Sequence, residues 1–369
     1  MQFTCEREVL VQAVSVVERA VATRDAMSIL TGILIEARAE RLRLVGTDLE
    51  LGIECTVDAQ VGSEGTAVVD ARLLSQLIRK LPGDEVQVET ESGSGTAVIR
   101  SGRAEFSLHT RPATDFPPLS GPEAPERWRV EQRLLRDMIR QTAFAAAVDE
   151  HRAFLNGVLF EAEGNALRLV ATDSNRLAYR EGVLEEPISS PRKILVPARA
   201  AQEAARMLSP DASEPAEIAA GDNQVTISAG NARLVSRLLE GQFPNYRQVL
   251  PQAQPIRTRI GRQEFHAAVE RAALLSRKGP AVVVVAARQG LLTLSAREAD
   301  VGRSEEAIEI VHEGEDGETA YQARFLLDVL RVIDSDEVRL EFTEGDKPGV
   351  IKPADREDYL CLIMPVRLG

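Results

Sequence analysis

Histidine and cysteine are scarce, four and three in 369 residues, and their spacing excludes the sites usually built on them. His109, His151, His266 and His312 lie far apart, with no H-E-x-x-H. Cys5, Cys55 and Cys361 form no C-x-x-C pair, so neither a zinc site nor a dithiol couple is written in the chain. Dispersed cysteines in strand-like stretches read instead as buried reduced thiols. The G-x-x-x-x-G-K-[ST] phosphate loop and the G-x-S-x-G nucleophile elbow are also missing. Gly93-Ser94-Gly95 falls between strand-like runs and reads as a hairpin turn. Ser107, His109 and Asp115 have the residue types of a hydrolytic triad, but nearness in sequence says nothing of a triad's geometry. No apolar run approaches the ~18 residues of a spanning helix, and the segment from Met1 to Arg7 has no charged-then-apolar leader. The expectation is a cytoplasmic protein with no membrane contact, no cofactor and no metal.

What the chain does have is internal repetition. Leu42-Arg43-Leu44-Val45-Gly46-Thr47-Asp48 returns 125 residues later as Leu167-Arg168-Leu169-Val170-Ala171-Thr172-Asp173, and after another 125 as Leu292-Thr293-Leu294-Ser295-Ala296-Arg297-Glu298. An x-Ala-Arg signature keeps the same order, at Val69-Asp70-Ala71-Arg72, Val196-Pro197-Ala198-Arg199 and Tyr321-Gln322-Ala323-Arg324. Solenoid and propeller repeats run roughly 20–50 residues, so a period this long implies that each copy is a whole domain. Breaker-rich linkers at Phe116–Pro125 and Leu250–Pro255 put the boundaries at 1–121, 122–251 and 252–369.

Within each copy the apolar pattern alternates between helical and strand periods. Val9, Leu10, Ala13, Val14 and Val17 mark an opening helix, as do Leu135, Met138 and Ile139 in the second copy and Phe265, Ala268 and Val269 in the third. A second helix follows x-Ala-Arg, with Leu73, Leu74, Leu77, Ile78 and Leu81 expected on its buried stripe. Gly32–Glu36, Leu42–Leu44, Glu85–Glu89 and Glu337–Glu341 read as antiparallel strands. The fold class is α+β, with two helices against sheet in each domain.

The net charge of −13 argues against a polyanionic partner until its distribution is considered. Windows 6–20, 71–80, 131–147, 198–208, 262–278 and 324–334, which take in the expected helices, together carry +6, leaving −19 on everything else. Basic helices on an acidic scaffold suit binding to phosphates without base reading. Asp48 and Asp173 close Leu-x-Leu-Val-[Gly/Ala]-Thr segments, where Asp most simply bonds local backbone amides in a turn.

In order along the chain, Gly46-Thr47-Asp48-Leu49-Glu50, Phe106-Ser107-Leu108, Asp115-Phe116-Pro117, Leu155-Asn156-Gly157-Val158-Leu159-Phe160-Glu161, Ala171-Thr172-Asp173, Arg176-Leu177-Ala178, Phe243-Pro244-Asn245-Tyr246-Arg247 and Met364-Pro365-Val366-Arg367-Leu368 closely resemble the bacterial sliding clamp family, the β subunit of the replicative DNA polymerase III. The resemblance spans essentially the whole chain. It implies three clamp domains in a head-to-tail homodimeric ring, with helices lining a hole threaded by double-stranded DNA. It further implies a processivity factor without catalytic activity. The implied partners are DNA polymerase III alpha and other polymerases, a clamp loader that itself uses ATP, and mismatch-repair proteins and ligase. By position, Arg24, Arg72, Arg152 and Arg199 correspond to the DNA-facing set, with Arg79 and Lys80 near the rim. Leu155, Thr172, Ser174, Asn175, Arg176, Leu177, Pro244, Val249, Leu362, Met364, Pro365, Val366 and Arg367 correspond to a cleft for a Leu/Phe-rich peptide end. Phe106 and Leu108 of one subunit would meet Leu274 and Leu275 of the other, with Glu305 and Glu306 near Arg100 and Arg103. The chain departs from the common pattern at Ser174-Asn175, Asp149, Ala153, Glu105, Arg277-Lys278-Gly279-Pro280 and Gly369. Two further readings are a specialised clamp paralogue in repair or drug resistance, and a metal-dependent DNA-processing enzyme using Asp48 and Asp173.

Overall fold

All six expected helices form in a computed structural model that describes residues 1–23, 27–90, 95–123, 125–148, 150–250, 253–276 and 279–367. They are α1 Arg7–Val17, α2 Ala71–Ile78, α3 Gln132–Thr142, α4 Ala198–Met207, α5 Arg262–Ala273 and α6 Ala323–Val332. Arg24, Gly93, Ser94, Asp149, Arg277, Lys278, Leu368 and Gly369 lie outside the described residues.

The helices bury the stripes their periodicity implies, with one difference on α2. Leu10, Ala13, Val14 and Val17 are buried on α1, and Phe265, Ala268, Val269 and Ala272 on α5. On α2 the buried line is Leu74, Ile78 and, just past the helix, Leu81, whereas Leu73 is half exposed. At 100° per residue, positions 74, 78 and 81 share one line and 73 falls on its flank, so the expected stripe is one column too wide. Asp70 caps this helix, its carboxylate accepting the Leu73 N–H at 2.9 Å.

The chain divides into two compact units, Met1–Arg136 with Glu203–Leu238, and Asp137–Gln202 with Leu239–Gly369. This division cuts through the second repeat because sheets run on across the repeat boundaries. In the first unit, Ala232–Arg237 from the second repeat pairs antiparallel with Leu51–Asp58 from the first, inside a thirteen-stranded sheet. In the second unit, Tyr359–Ile363 from the third repeat pairs with Arg176–Val183 from the second, inside a nine-stranded sheet. A separate four-stranded sheet holds Val282–Arg288, Leu291–Glu298, Gly302–Glu309 and Gly317–Gln322. Among the described residues no helix is long and apolar enough to cross a membrane.

The three cysteines are free and buried. Burial pushes the thiol pKa of Cys5 and of Cys55 up to about 11 and that of Cys361 to about 12. Since the thiolate is the reactive form, a disulfide reagent at pH 8 is expected to leave the native protein unmodified and to titrate all three thiols once it is denatured. Rapid labelling of the native protein would contradict this burial.

Candidate functional site

Several of the residues assigned to a cleft lie on or beside one turn of the second unit. The Thr172 hydroxyl donates to the Arg176 carbonyl at 2.7 Å, and the Asp173 carboxylate accepts the N–H groups of Asn175 and Arg176 at 2.9 and 3.0 Å. Ser174 takes φ +77°, a left-handed conformation that these bonds hold in place. The turn delivers Leu177 into register with Leu362 on the neighbouring strand. The Met364 N–H then donates to the Asn175 carbonyl at 2.8 Å, and the Val366 N–H to the Ala320 carbonyl at 2.7 Å, which guides the last residues past the turn.

A loop, residues 243–250, completes the arrangement. Tyr246 is buried in a cluster with Leu159, Val170, Leu177, Leu195, Val350 and Leu362, and Phe243 and Leu250 pack on its edge. Pro244 is exposed, Val249 is 50% exposed and Met364 is 40% exposed, whereas Leu155, Thr172 and Leu177 are buried. Buried apolar floor beneath exposed apolar rim is the chemistry that takes up another chain's Leu or Phe side chain. Met on the rim adds adaptability. Pro365 and Val366 are half buried, and Arg367 extends into solvent, 3.5 Å from Asp346.

Arg176 lies within the wall rather than on its surface. Its guanidinium donates to Asp173 at 3.0 Å, Asp328 at 2.6 Å and the Phe144 carbonyl at 2.7 Å. It also sits over the rings of Phe144 and Phe325. With its donors engaged and 4% of its surface exposed, it braces the turn and leaves no face for a ligand.

The first unit holds a twin of this turn. The Thr47 hydroxyl donates to the Leu51 carbonyl at 2.9 Å, and Asp48 accepts from Glu50 and Leu51 at 3.1 and 2.8 Å. Leu49 has φ +76°, and the Arg237 N–H donates to the Glu50 carbonyl at 3.0 Å. Gly52 stands where the other turn has Leu177, and a Cβ there would come within 2.2 Å of Leu119 Cδ1. Asp48 and Asp173 are thus turn-formers, as expected from their position. No group of three or more His, Cys, Asp or Glu able to hold a metal occurs among the described residues.

Arg72, Arg199 and Arg324 each occupy the second residue of a helix, α2, α4 and α6, and all three are exposed. Cations at a helix N-terminus oppose its dipole, by about 0.3–1 kcal/mol each, although Arg324 lies 3.7 Å from Asp328 one turn on. The resemblance does not single out Arg324, although the x-Ala-Arg repeat points to it as strongly as to the other two. Arg79 is exposed and bonds Ser15 at 3.0 Å, and Lys80 is exposed. Arg152 lies elsewhere, donating to the Ser174 hydroxyl at 3.0 Å beside the cleft turn.

Of the strands with a free edge among the described residues, two lie beside the residues assigned to the subunit interface. Ala104–Arg111 pairs along its length with Thr96–Ser101, but on its other side only Thr110 and Arg111 have partners. Gly302–Glu309 is one of the two outer strands of the four-stranded sheet, the other being Gly317–Gln322. Phe106 is 42% exposed and Leu274, at the end of α5, 79%, whereas Leu275 is half buried and Leu108 buried. Two of the four charges expected to meet across subunits have partners within the chain: Arg100 bonds Glu89 and Glu105 at 2.8 Å each, and Glu306 accepts from Arg271 at 2.9 Å. Arg103 and Glu305 are exposed.

Sequence models of the DNA polymerase III beta subunit match residues 1–120 (N-terminal domain), 129–245 (central domain) and 247–367 (C-terminal domain). The beta sliding clamp of Staphylococcus epidermidis is 33% identical, covering 100% of this chain and 99% of that protein. A crystal structure of the DNA polymerase sliding clamp from Bacillus subtilis superposes with a TM-score of 0.93 at 32% identity, covering 100% of both chains. The Pseudomonas aeruginosa clamp bound to griselimycin does so with a TM-score of 0.93 at 30% identity, again over 100% of both.

Proposed function

The chain belongs to the bacterial DNA polymerase III beta subunit family, and on that premise we propose that it is a sliding clamp, a head-to-tail homodimeric ring that encircles duplex DNA and tethers the replicative polymerase. It has no catalytic role of its own in this reading and works in the cytoplasm. The observation that carries the reading is the exposed arginine opening α2, α4 and α6 in a chain of net −13. A cation kept at the same disfavoured place in all three repeats, within an otherwise acidic protein, is suited to backbone phosphates of no particular sequence. Enclosure rather than affinity then keeps the protein on DNA. The direct test is retention on nicked circular DNA, which should persist through gel filtration and vanish when the circle is linearised. Equal retention on both forms would replace enclosure by simple binding.

The ring closes where the unpaired edge of Ala104–Arg111 meets that of Gly302–Glu309 from the other subunit, with Phe106 and Leu274 at its apolar seam. Such a heterologous contact closes into a ring when the rotation per subunit permits. Polymerase III alpha, other polymerases, the ATP-using clamp loader, mismatch-repair proteins and ligase bind through the cleft around Leu177, Val249 and Met364. Replacing Arg72, Arg199 and Arg324 with alanine is expected to weaken DNA binding alike on all sequences. The slope of log affinity against log salt should fall by about one for each phosphate that is no longer neutralised. Titration at several salt concentrations measures this, and a weakening confined to particular sequences would remove these residues from the DNA-facing set.

A further inference from the structure

Glu161 is 3% exposed yet lies among three cations. It sits on the strand Gly157–Glu163, with Arg168 and Lys193 as its register partners on the strands to either side. Lys193 Nζ is 3.2 Å and Arg168 Nη1 3.5 Å from the carboxylate. The third cation arrives from outside the sheet: Arg247, in the loop that forms the cleft wall, donates to both carboxylate oxygens, one of them at 3.2 Å. Arg168 is also bonded to Glu163 at 3.1 Å and Glu181 at 2.6 Å, so Glu161 holds the loop from a braced position. Burial by itself would push the Glu161 pKa up. The bonds and charges of Arg247 and Lys193 outweigh it and hold the group below the usual carboxylate value, ionised at neutral pH.

This is the loop's one ion pair among the described residues. Next to it, Tyr246 is buried in the apolar cluster, and the Arg247 guanidinium lies 4.8 Å from the centre of the Tyr246 ring. Consecutive residues therefore anchor the loop, one by apolar burial and one by charge, while Pro244 and Val249 on either side remain exposed. A buried ion pair seldom stabilises a fold more than well-packed apolar residues of similar volume, but a two-pronged pair fixes geometry.

We propose that Glu161 is a positioning residue for the peptide cleft: through Arg247 it fixes the loop that carries Pro244 and Val249, and so sets the gap between that wall and the Leu177 floor. The role rests on the cleft reading above. If removing the pair leaves the loop in its binding geometry about a tenth of the time, apparent affinity falls about tenfold, because only that fraction is competent. The test is calorimetry with a synthetic Leu/Phe-terminated peptide on wild-type protein, Arg247→Ala, Glu161→Gln and the double variant, together with hydrogen exchange over 244–250. The expected result is a similar loss in both single variants, no further loss in the double, and faster exchange confined to the loop until peptide is added. Arg247→Lys, which keeps the charge but not the two-pronged bond, should recover part of the affinity. Dimer mass should be unchanged in Arg247→Ala, because Lys193 and Arg168 still neutralise Glu161. Wild-type affinity in Arg247→Ala, or losses that add in the double variant, overturns the positioning role and leaves the cleft standing. A wild-type protein that binds no such peptide overturns the cleft itself.

Discussion

Leu274→Ala is expected to convert the dimer into monomers at micromolar concentration. A leucine 79% exposed at the end of α5 gains nothing for the subunit's own fold, so its side-chain burial becomes available only on association. Removing a well-packed leucine costs roughly 2–4 kcal/mol. A closed head-to-tail dimer contains the interface twice, which doubles the effect to roughly 4–8 kcal/mol, or about three to six powers of ten in the dissociation constant. Phe106→Ala should act in the same direction from the other side of the seam. Sedimentation or light scattering reads the mass, and the melting curve of the monomer should be close to that of wild-type monomer at high dilution. An unchanged dimer at low micromolar concentration would place the interface elsewhere.

The second large effect is at the cleft. Met364→Ala, or truncation after Met364, should weaken binding of a Leu/Phe-terminated peptide by about 1–3 kcal/mol, roughly five- to 150-fold. Met364 presents an exposed side chain while its backbone N–H secures the turn at Asn175. Alanine deletes the first and keeps the second, so a drop in affinity with an intact dimer separates recognition from folding. Equal peptide affinity in the wild-type and truncated proteins would move the partner site off this turn.

Local features are the legible ones. The six helices, the Asp48 and Asp173 turns and the buried cysteines follow from spacing and side-chain chemistry within a few residues. What sequence does not convey is non-local. Strand pairing across repeats, Ala232–Arg237 on Leu51–Asp58 and Tyr359–Ile363 on Arg176–Val183, depends on edges brought together only by folding. The engagement of Arg176 by Asp328 and the tie between Arg247 and Glu161 span 152 and 86 residues, and neither has a periodic trace. Resemblance pairs Arg100 and Glu306 with the other subunit because it carries positions over, whereas within this chain Arg100 bonds Glu105 and Arg271 bonds Glu306.

The twin turns have a consequence for valency. Duplication supplied the same backbone scaffold in two places, yet in the first unit Gly52 has no side chain to form a floor, Leu119 lies over it, and Arg237 replaces the apolar rim. One copy is therefore filled by its own linker, and on the proposed reading the other is the socket. A two-subunit ring then offers two sockets rather than four. If partners dock as proposed, one held in the first socket would place a second at high effective concentration near the other.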